Sequence, residues 1–477
     1  MLRMRQGNPQ IRCRLCIFRR CGSSGYSGLK RAFVNKLPEK ARVCALANVR
    51  KQAETSIVGC AIKKAVKIPR YFPHTEMPIF PGLAKCPAAA LQNNNHGGCG
   101  AAKIKMETWV ALLLRYNPAL DGLRAVAVVL VISDHCGVPV FDQGYFGVDL
   151  FFVLSGFLIT RLLVDEIDAT GRIELWRFYL RRLLRLAPAL LLFLAAYMLI
   201  APSIWPQFDF LLHLRDAALV GFYLSDYSQA FWHNPKVLIH TWSLSVEEHF
   251  YLIWPFAVLL LARIEPRWRL AVLFGLYLLA SAWRIFEYET VGWNATYYRF
   301  DTRISGLLCG ALLATFLQHK GPISEKAANA AGLIAWTALV ICLSIGFWEA
   351  PWSLVVMTNL AHVAAIGLLI AASTKNSWVS SILSAPPLVA IGIISYGMYL
   401  WHYPAALYFR ELTPWYLTGP IVLSFSIVMA MVSYLTIERP LQKYRRSLGG
   451  HQRNAEAKPV SAGDDRALPT ATAPATT

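Results

Sequence analysis

Apolar residues in this chain come in runs close to 20 long, broken by short polar links, from about residue 119 to residue 437. Coiled as α-helices, runs of that length match the thickness of a bilayer core. The pattern predicts ten spans, at 119–138, 146–164, 187–205, 246–263, 268–286, 303–318, 330–347, 354–372, 386–406 and 418–437. Basic residues gather in alternate links. Arg161, Arg172, Arg177, Arg181, Arg182 and Arg185 fall between spans two and three, and Arg263, Arg267 and Arg269 between four and five. Lys320 and Lys326 fall between six and seven, Lys375 between eight and nine, and Arg439, Lys443, Arg445 and Arg446 after ten. Ten spans put all of these on one side, the cytoplasmic side by the positive-inside rule, with both termini. The apolar stretch 210–224 is interrupted by Arg215 and Asp216, so it is expected to be interfacial or re-entrant. The expected fold class is an all-α integral membrane protein of about ten transmembrane helices.

Composition agrees. The chain is 56% hydrophobic and only 16% charged, too apolar for a soluble protein of this length. Its 15 Trp and 20 Tyr suit aromatic belts at the two interfaces. The net charge of +19 is unevenly spread: about 20 of the 47 Lys and Arg precede Met106, against Glu39, Glu54 and Glu76 among the acids. The basicity therefore belongs to a leader, and no nucleic-acid partner is expected. Residues 1–105 also hold Cys13, Cys16, Cys21, Cys44, Cys60, Cys86 and Cys99. Cys13 and Cys16 lack a matching second pair, so no metal site is expected. The leader is expected to be disordered or upstream of the native start at Met106, with a targeting peptide as the alternative. The membrane domain is expected over 106–446 and a disordered cytoplasmic tail over 447–477.

Ionisable residues inside apolar runs are costly and point to function. In the first run Asp121 can cap a helix that follows Pro118. Arg124 and His135 are eleven positions apart, about three helical turns, so they share a face roughly 16 Å apart along the axis. Asp149 in the second run needs a partner, for which Arg161 is a candidate, and Ser155-Gly156 favours close helix packing. Residues 176–188 form a basic amphipathic helix in which Arg177, Arg181 and Arg185 fall on one stripe and Arg182 pairs with Arg185. Such guanidinium groups suit phosphate docking or lipid anchoring, and both readings stay open. Glu247 and Glu248 open span four, Arg299 and Asp301 precede span six, and Tyr396, Tyr399, Trp401 and His402 fall in span nine.

Arg124-x10-His135, the phrase DGLRA at 121–125 and GYFGVDLFFVLSGFLIT at 144–160 resemble the first two spans of the acyltransferase-3 family. Residues 241–255 are similar to that family's SLSVEExFYLxWP phrase, and 395–404 to its SYxxYLWHxP phrase. The resemblance runs over about 117–445. It implies transfer of an acyl group, acetyl by default, from cytoplasmic acyl-CoA to a hydroxyl on an envelope or exported glycan or glycolipid. The enzyme would lie in the bacterial inner membrane, with acyl-CoA as co-substrate and no bound cofactor. His135 would be the general base, with Arg124 and Glu247 also in the catalytic group. Arg181, Arg182 and Arg185 would dock the CoA phosphates. Asp121, Asp149, Arg299, Asp301, Tyr396 and His402 are further site candidates. His249 stands where the family has Gln and receives no role. Direct transfer and an acyl-His intermediate both remain open. The competing reading is a transporter or flippase of a glycolipid or proton-coupled solute; the absence of an internal sequence repeat weakens it.

Overall fold

A computed structural model describes residues 116–321 and 323–447 of the 477. The expected leader over 1–105 lies outside the described residues, as does the expected tail apart from Ser447. The described residues contain helices and no strand. Among the described residues, eight helices are long and apolar enough to cross a membrane, and they coincide with predicted spans two to eight and ten. The chain is therefore an all-α, multi-pass membrane protein.

In chain order the helices begin with α1 (Pro118–His135), α2 (Phe146–Thr170), α3 (Leu175–Ile204), α4 (Phe210–Gly221) and α5 (Ser225–Trp232). Next are α6 (Trp242–Leu261), α7 (Pro266–Tyr298), α8 (Phe300–Lys320), α9 (Glu325–Ile345) and α10 (Thr358–Ser373). The last are α11 (Trp378–Leu383), α12 (Pro386–Ile393), α13 (Ser395–Leu412), α14 (Trp415–Ser433) and α15 (Arg439–Ser447). Helices α2, α8 and α10 bury most of their apolar windows, whereas α3, α7, α9 and α14 bury a third or less of theirs. Exposed apolar side chains such as Leu191, Leu199, Leu279 and Ile334 suit contact with lipid.

Two predicted spans take another form. Span one is α1, an 18-residue helix carrying Asp121, Arg124 and Asp134 in largely buried surroundings. Span nine is not continuous: Ile394, at φ −100° and ψ 6°, divides α12 from α13. The stretch at 210–224 supplies α4, whose 12 residues reach about 18 Å, too short to span.

Local chemistry fixes the starts. Asn117, not Asp121, caps α1: its side chain accepts from the Ala119 N–H at 3.0 Å and donates to the Ala372 carbonyl at 2.8 Å. Pro118 holds the first helical position, so the cap must precede it. The expected close packing at Gly156 is present. A Cβ there would lie 2.0 Å from the Leu307 carbonyl oxygen, and one at Gly310 would lie 2.0 Å from that of Val153. Small residues on both helices thus let the α2 and α8 backbones touch.

Candidate active site

The end of α1 and the starts of α2 and α6 meet the end of α7 and the middle of α13 around a cavity of about 440 Å³. That volume suits a small-molecule site. His135, His240, Asp142 and Arg410 line it among Tyr145, Trp242, Tyr297, Tyr298, Trp348, Tyr399 and Tyr403. It lies at the opposite ends of α2 and α6 from Arg161 and Arg263.

His135 Nδ1 lies 2.9 Å from His402 Nε2, and His402 Nδ1 lies 2.7 Å from the Tyr399 carbonyl oxygen. A carbonyl only accepts, so His402 donates from Nδ1, and in its neutral form it keeps a lone pair on Nε2. That lone pair accepts from His135 Nδ1–H. His135 Nε2 is then the unprotonated nitrogen, and it has no hydrogen-bond partner among the described residues. Two motifs far apart in sequence thereby fix one imidazole and its orientation. Arg410 Nη1 donates to the His135 carbonyl at 3.2 Å and holds the end of α1. His240 was not singled out in the sequence, although it directly precedes the phrase beginning at Thr241. Its Nε2 donates to the Leu400 carbonyl at 3.2 Å, and its ring stacks on Tyr403 with centroids 5.0 Å apart.

Glu247 does not contact His135. One carboxylate oxygen accepts from Ser155 Oγ at 2.8 Å and the other from the Tyr251 hydroxyl at 2.9 Å. The Arg182 guanidinium lies 4.0 Å over the Tyr251 ring, and Arg182 and Arg185 are both within electrostatic reach of Glu247. The basic stripe on α3 is therefore divided. Arg177 pairs with Glu174 at 2.6 Å and Arg181 with Glu166 at 3.4 Å. Arg182 faces the Glu247 layer. Between that layer and the cavity stand Ser243 and Tyr399, whose hydroxyls are 2.5 Å apart. Tyr396 is turned aside, donating to the Leu186 carbonyl at 3.1 Å.

The other candidates form separate clusters. Arg124 pairs with Asp121 toward the start of α1. Asp121 also accepts from the Tyr116 hydroxyl at 2.6 Å, and burial first, then this carboxylate, raises the pKa of that phenol. Asp149 is bound by Arg303 at 2.9 Å, with His362 at 3.5 Å, and not by Arg161. Arg161 lies twelve residues, about 18 Å, further along the same helix, so an α8 side chain supplies the partner. Arg299 pairs with Asp301, as the sequence suggested, and also with Glu287 at 2.5 Å. Tyr227 donates to Asp301 at 3.2 Å; burial, then Asp301, pushes its pKa up to about 12. His249 pairs with Asp226 at 3.1 Å.

A family profile described as an acyltransferase domain matches residues 117–438, more than half of the chain and the whole of the site just described. The chain belongs to the acyltransferase-3 family. Among its relatives, the peptidoglycan O-acetyltransferase OatA of Listeria monocytogenes is 32% identical over 353 residues, covering 69% of this chain and 56% of the relative. The O-acetyltransferase OatA of Staphylococcus aureus is 34% identical over 353 residues, covering 69% and 58%. A putative O-acetyltransferase of the same species is 32% identical over 356 residues, again covering 69% and 58%. The matched region thus spans a little under three fifths of the length of these relatives. No solved structure matches the chain. The resemblance read from the sequence is a family relationship, and its phrases from α1, α6 and α13 meet at or just beneath the cavity.

Proposed function

We propose that this chain is a membrane O-acyltransferase that moves an acetyl group from cytoplasmic acetyl-CoA to a hydroxyl of an envelope glycan, with His135 as general base. The single observation that carries the reading is His135, held by His402 with its Nε2 unpartnered and lining an aromatic-walled cavity. A glycan of the peptidoglycan type is the favoured acceptor, because one relative is named a peptidoglycan O-acetyltransferase. Aromatic side chains such as Trp348, Tyr297 and Tyr403 offer flat apolar faces with polar tips, which suit sugar rings.

In the proposed reaction His135 Nε2 takes the proton of the acceptor hydroxyl as its oxygen attacks the thioester carbonyl carbon. The carbonyl π pair moves onto oxygen. Collapse of that oxyanion breaks the carbon–sulfur bond, and the proton on His135 passes to the leaving thiolate. Arg182 and Arg185 would hold CoA phosphates at the basic end, since guanidinium forks match phosphate oxygens. The pantetheine arm would run past Glu247, Ser155 and Tyr399 towards His135. Direct transfer is the form adopted here; an acyl-His intermediate would give ping-pong kinetics. The bacterial inner membrane is the proposed location.

Mass spectrometry of envelope glycans tests the reading. A strain lacking this protein should lose O-acetyl groups, regain them with the wild-type chain and not regain them with His135→Ala. Unchanged acetylation in the deletion strain would contradict the proposed activity.

A further inference from the structure

Beyond the imidazoles, the cavity has a charged backing. Arg284 on α7 is fully buried, yet its guanidinium bonds only neutral acceptors. These are the Leu354 carbonyl at 3.1 Å, Ser305 Oγ at 2.5 Å and Asn359 Oδ1 at 2.9 Å. The Leu354 carbonyl is supplied by a π-helical turn, Ser353–Met357, just before α10. Arg303 on α8 is 2% exposed and close enough to Arg284 for the two charges to act on one another. Asp149 is the only acid bonded to this pair among the described residues, through Arg303 at 2.9 Å. Two guanidinium cations and one carboxylate leave an excess positive charge. Buried charge at membrane depth is costly and is kept where it does work.

This excess charge adjoins the reaction cavity. Arg303 Cζ lies 4.9 Å from the centre of the Tyr297 ring and 5.7 Å from that of Trp242. Both rings line the cavity that holds His135. Their faces partly satisfy the cation. Its Nε and Nη1 remain buried without hydrogen-bond partners. Tyr297 and Trp242 thus touch both the cation and the space where reactants would meet.

We propose that Arg284 and Arg303 form a positively charged wall that stabilises the negative charge developing on the thioester oxygen during transfer. The inference rests on the acyl-transfer reading. Fixed charge placed before the reaction is the most effective stabiliser of a developing oxyanion, and a dry, apolar setting strengthens it. Arg284 touches neither substrate, so it is a positioning residue: it adds field and fixes the floor beneath Arg303.

The test uses the full chain in membranes of a strain lacking its own copy, supplied with radiolabelled acetyl-CoA and endogenous acceptor. Arg284→Lys keeps the charge; Arg284→Gln and Arg284→Met remove it, the Gln variant keeping hydrogen-bonding capacity. Turnover should fall about tenfold or more in both neutral variants, with KM for acetyl-CoA little changed, and Lys should restore most of it. Lys and Gln equally impaired at equal membrane abundance would mean a structural role and overturn the inference. Wild-type turnover in the Gln variant would overturn it too. Absence of transfer by the wild-type chain would instead overturn the functional reading on which it rests.

Discussion

His135 and His402 lie 267 positions apart in the chain and 2.9 Å apart in the fold. The contact decides which nitrogen of His135 is free, because His402 is itself fixed by the Tyr399 carbonyl. A neutral imidazole orients its partner without adding negative charge, unlike the carboxylate of a Ser-His-Asp triad. In the proposed reaction His402 is therefore a positioning residue. His402→Phe should keep the aromatic packing, lose the hydrogen bond and lower turnover about tenfold or more. Acetyl-CoA binding to the purified variant should be unchanged; a parallel loss of binding would point to a collapsed cavity instead.

The divided stripe on α3 separates two kinds of arginine. Arg177 and Arg181 are committed to Glu174 and Glu166, whereas Arg182 lies over Tyr251 beside the Glu247 layer. Losing a charge-assisted hydrogen bond costs roughly 1.5–3 kcal/mol. Arg182→Ala with Arg185→Ala should weaken acetyl-CoA binding by about tenfold or more, measured by calorimetry on purified protein. Arg177→Ala should leave it near wild type. Equal losses from both replacements would favour simple attraction of the donor by the whole basic surface.

Asp149 and Arg303 are each about 1% exposed at the side chain. Removing one member of a buried pair strands the other, at a cost of about 3–5 kcal/mol. Asp149→Asn should lower the thermal stability of the detergent-solubilised protein clearly. Asp149→Leu combined with Arg303→Met should regain part of that loss while turnover stays low, since the charged wall is gone.

At Gly156 the α2 backbone lies against Leu307 on α8, and an added Cβ would sit 2.0 Å from a carbonyl oxygen. Backbone cannot yield as a flexible side chain can. Gly156→Val should force the helices apart and reduce the amount of folded protein in the membrane. Fluorescence size-exclusion of a tagged chain reads this directly, and a wild-type profile would show that the contact tolerates a side chain.

The run lengths made the spanning helices legible, because bilayer thickness sets them. The break at Ile394 was not: Gly392 and Gly397 flank it, but isolated glycines are common in membrane spans and the apolar run continues on both sides. Asp121 drew attention as a cap by residue type, but Pro118 at the first helical position put the cap at Asn117. His135, Glu247 and His402 were each visible in phrases of their own. Their mutual arrangement was not, because it depends on which faces of α1, α6 and α13 meet. That arrangement joins His135 to His402 and gives Glu247 to Ser155 and Tyr251. Asp149 has Arg161 as a candidate partner within its own run, whereas packing supplies Arg303 from α8. Arg284 closes a predicted apolar run and resembles an interfacial end residue until the bond to Leu354 and the rest of its burial are seen.

Turnover of the purified full chain in proteoliposomes, given radiolabelled acetyl-CoA and an N-acetylglucosamine oligomer, reads out whether His135 takes the hydroxyl proton. Loss of a general base lowers turnover about 10²–10⁴-fold. His135→Ala should show that loss while acetyl-CoA still binds, and His135→Gln should not rescue it, because an amide does not take a proton near neutral pH. Near-wild-type turnover in either variant, at equal protein per vesicle, would contradict the account.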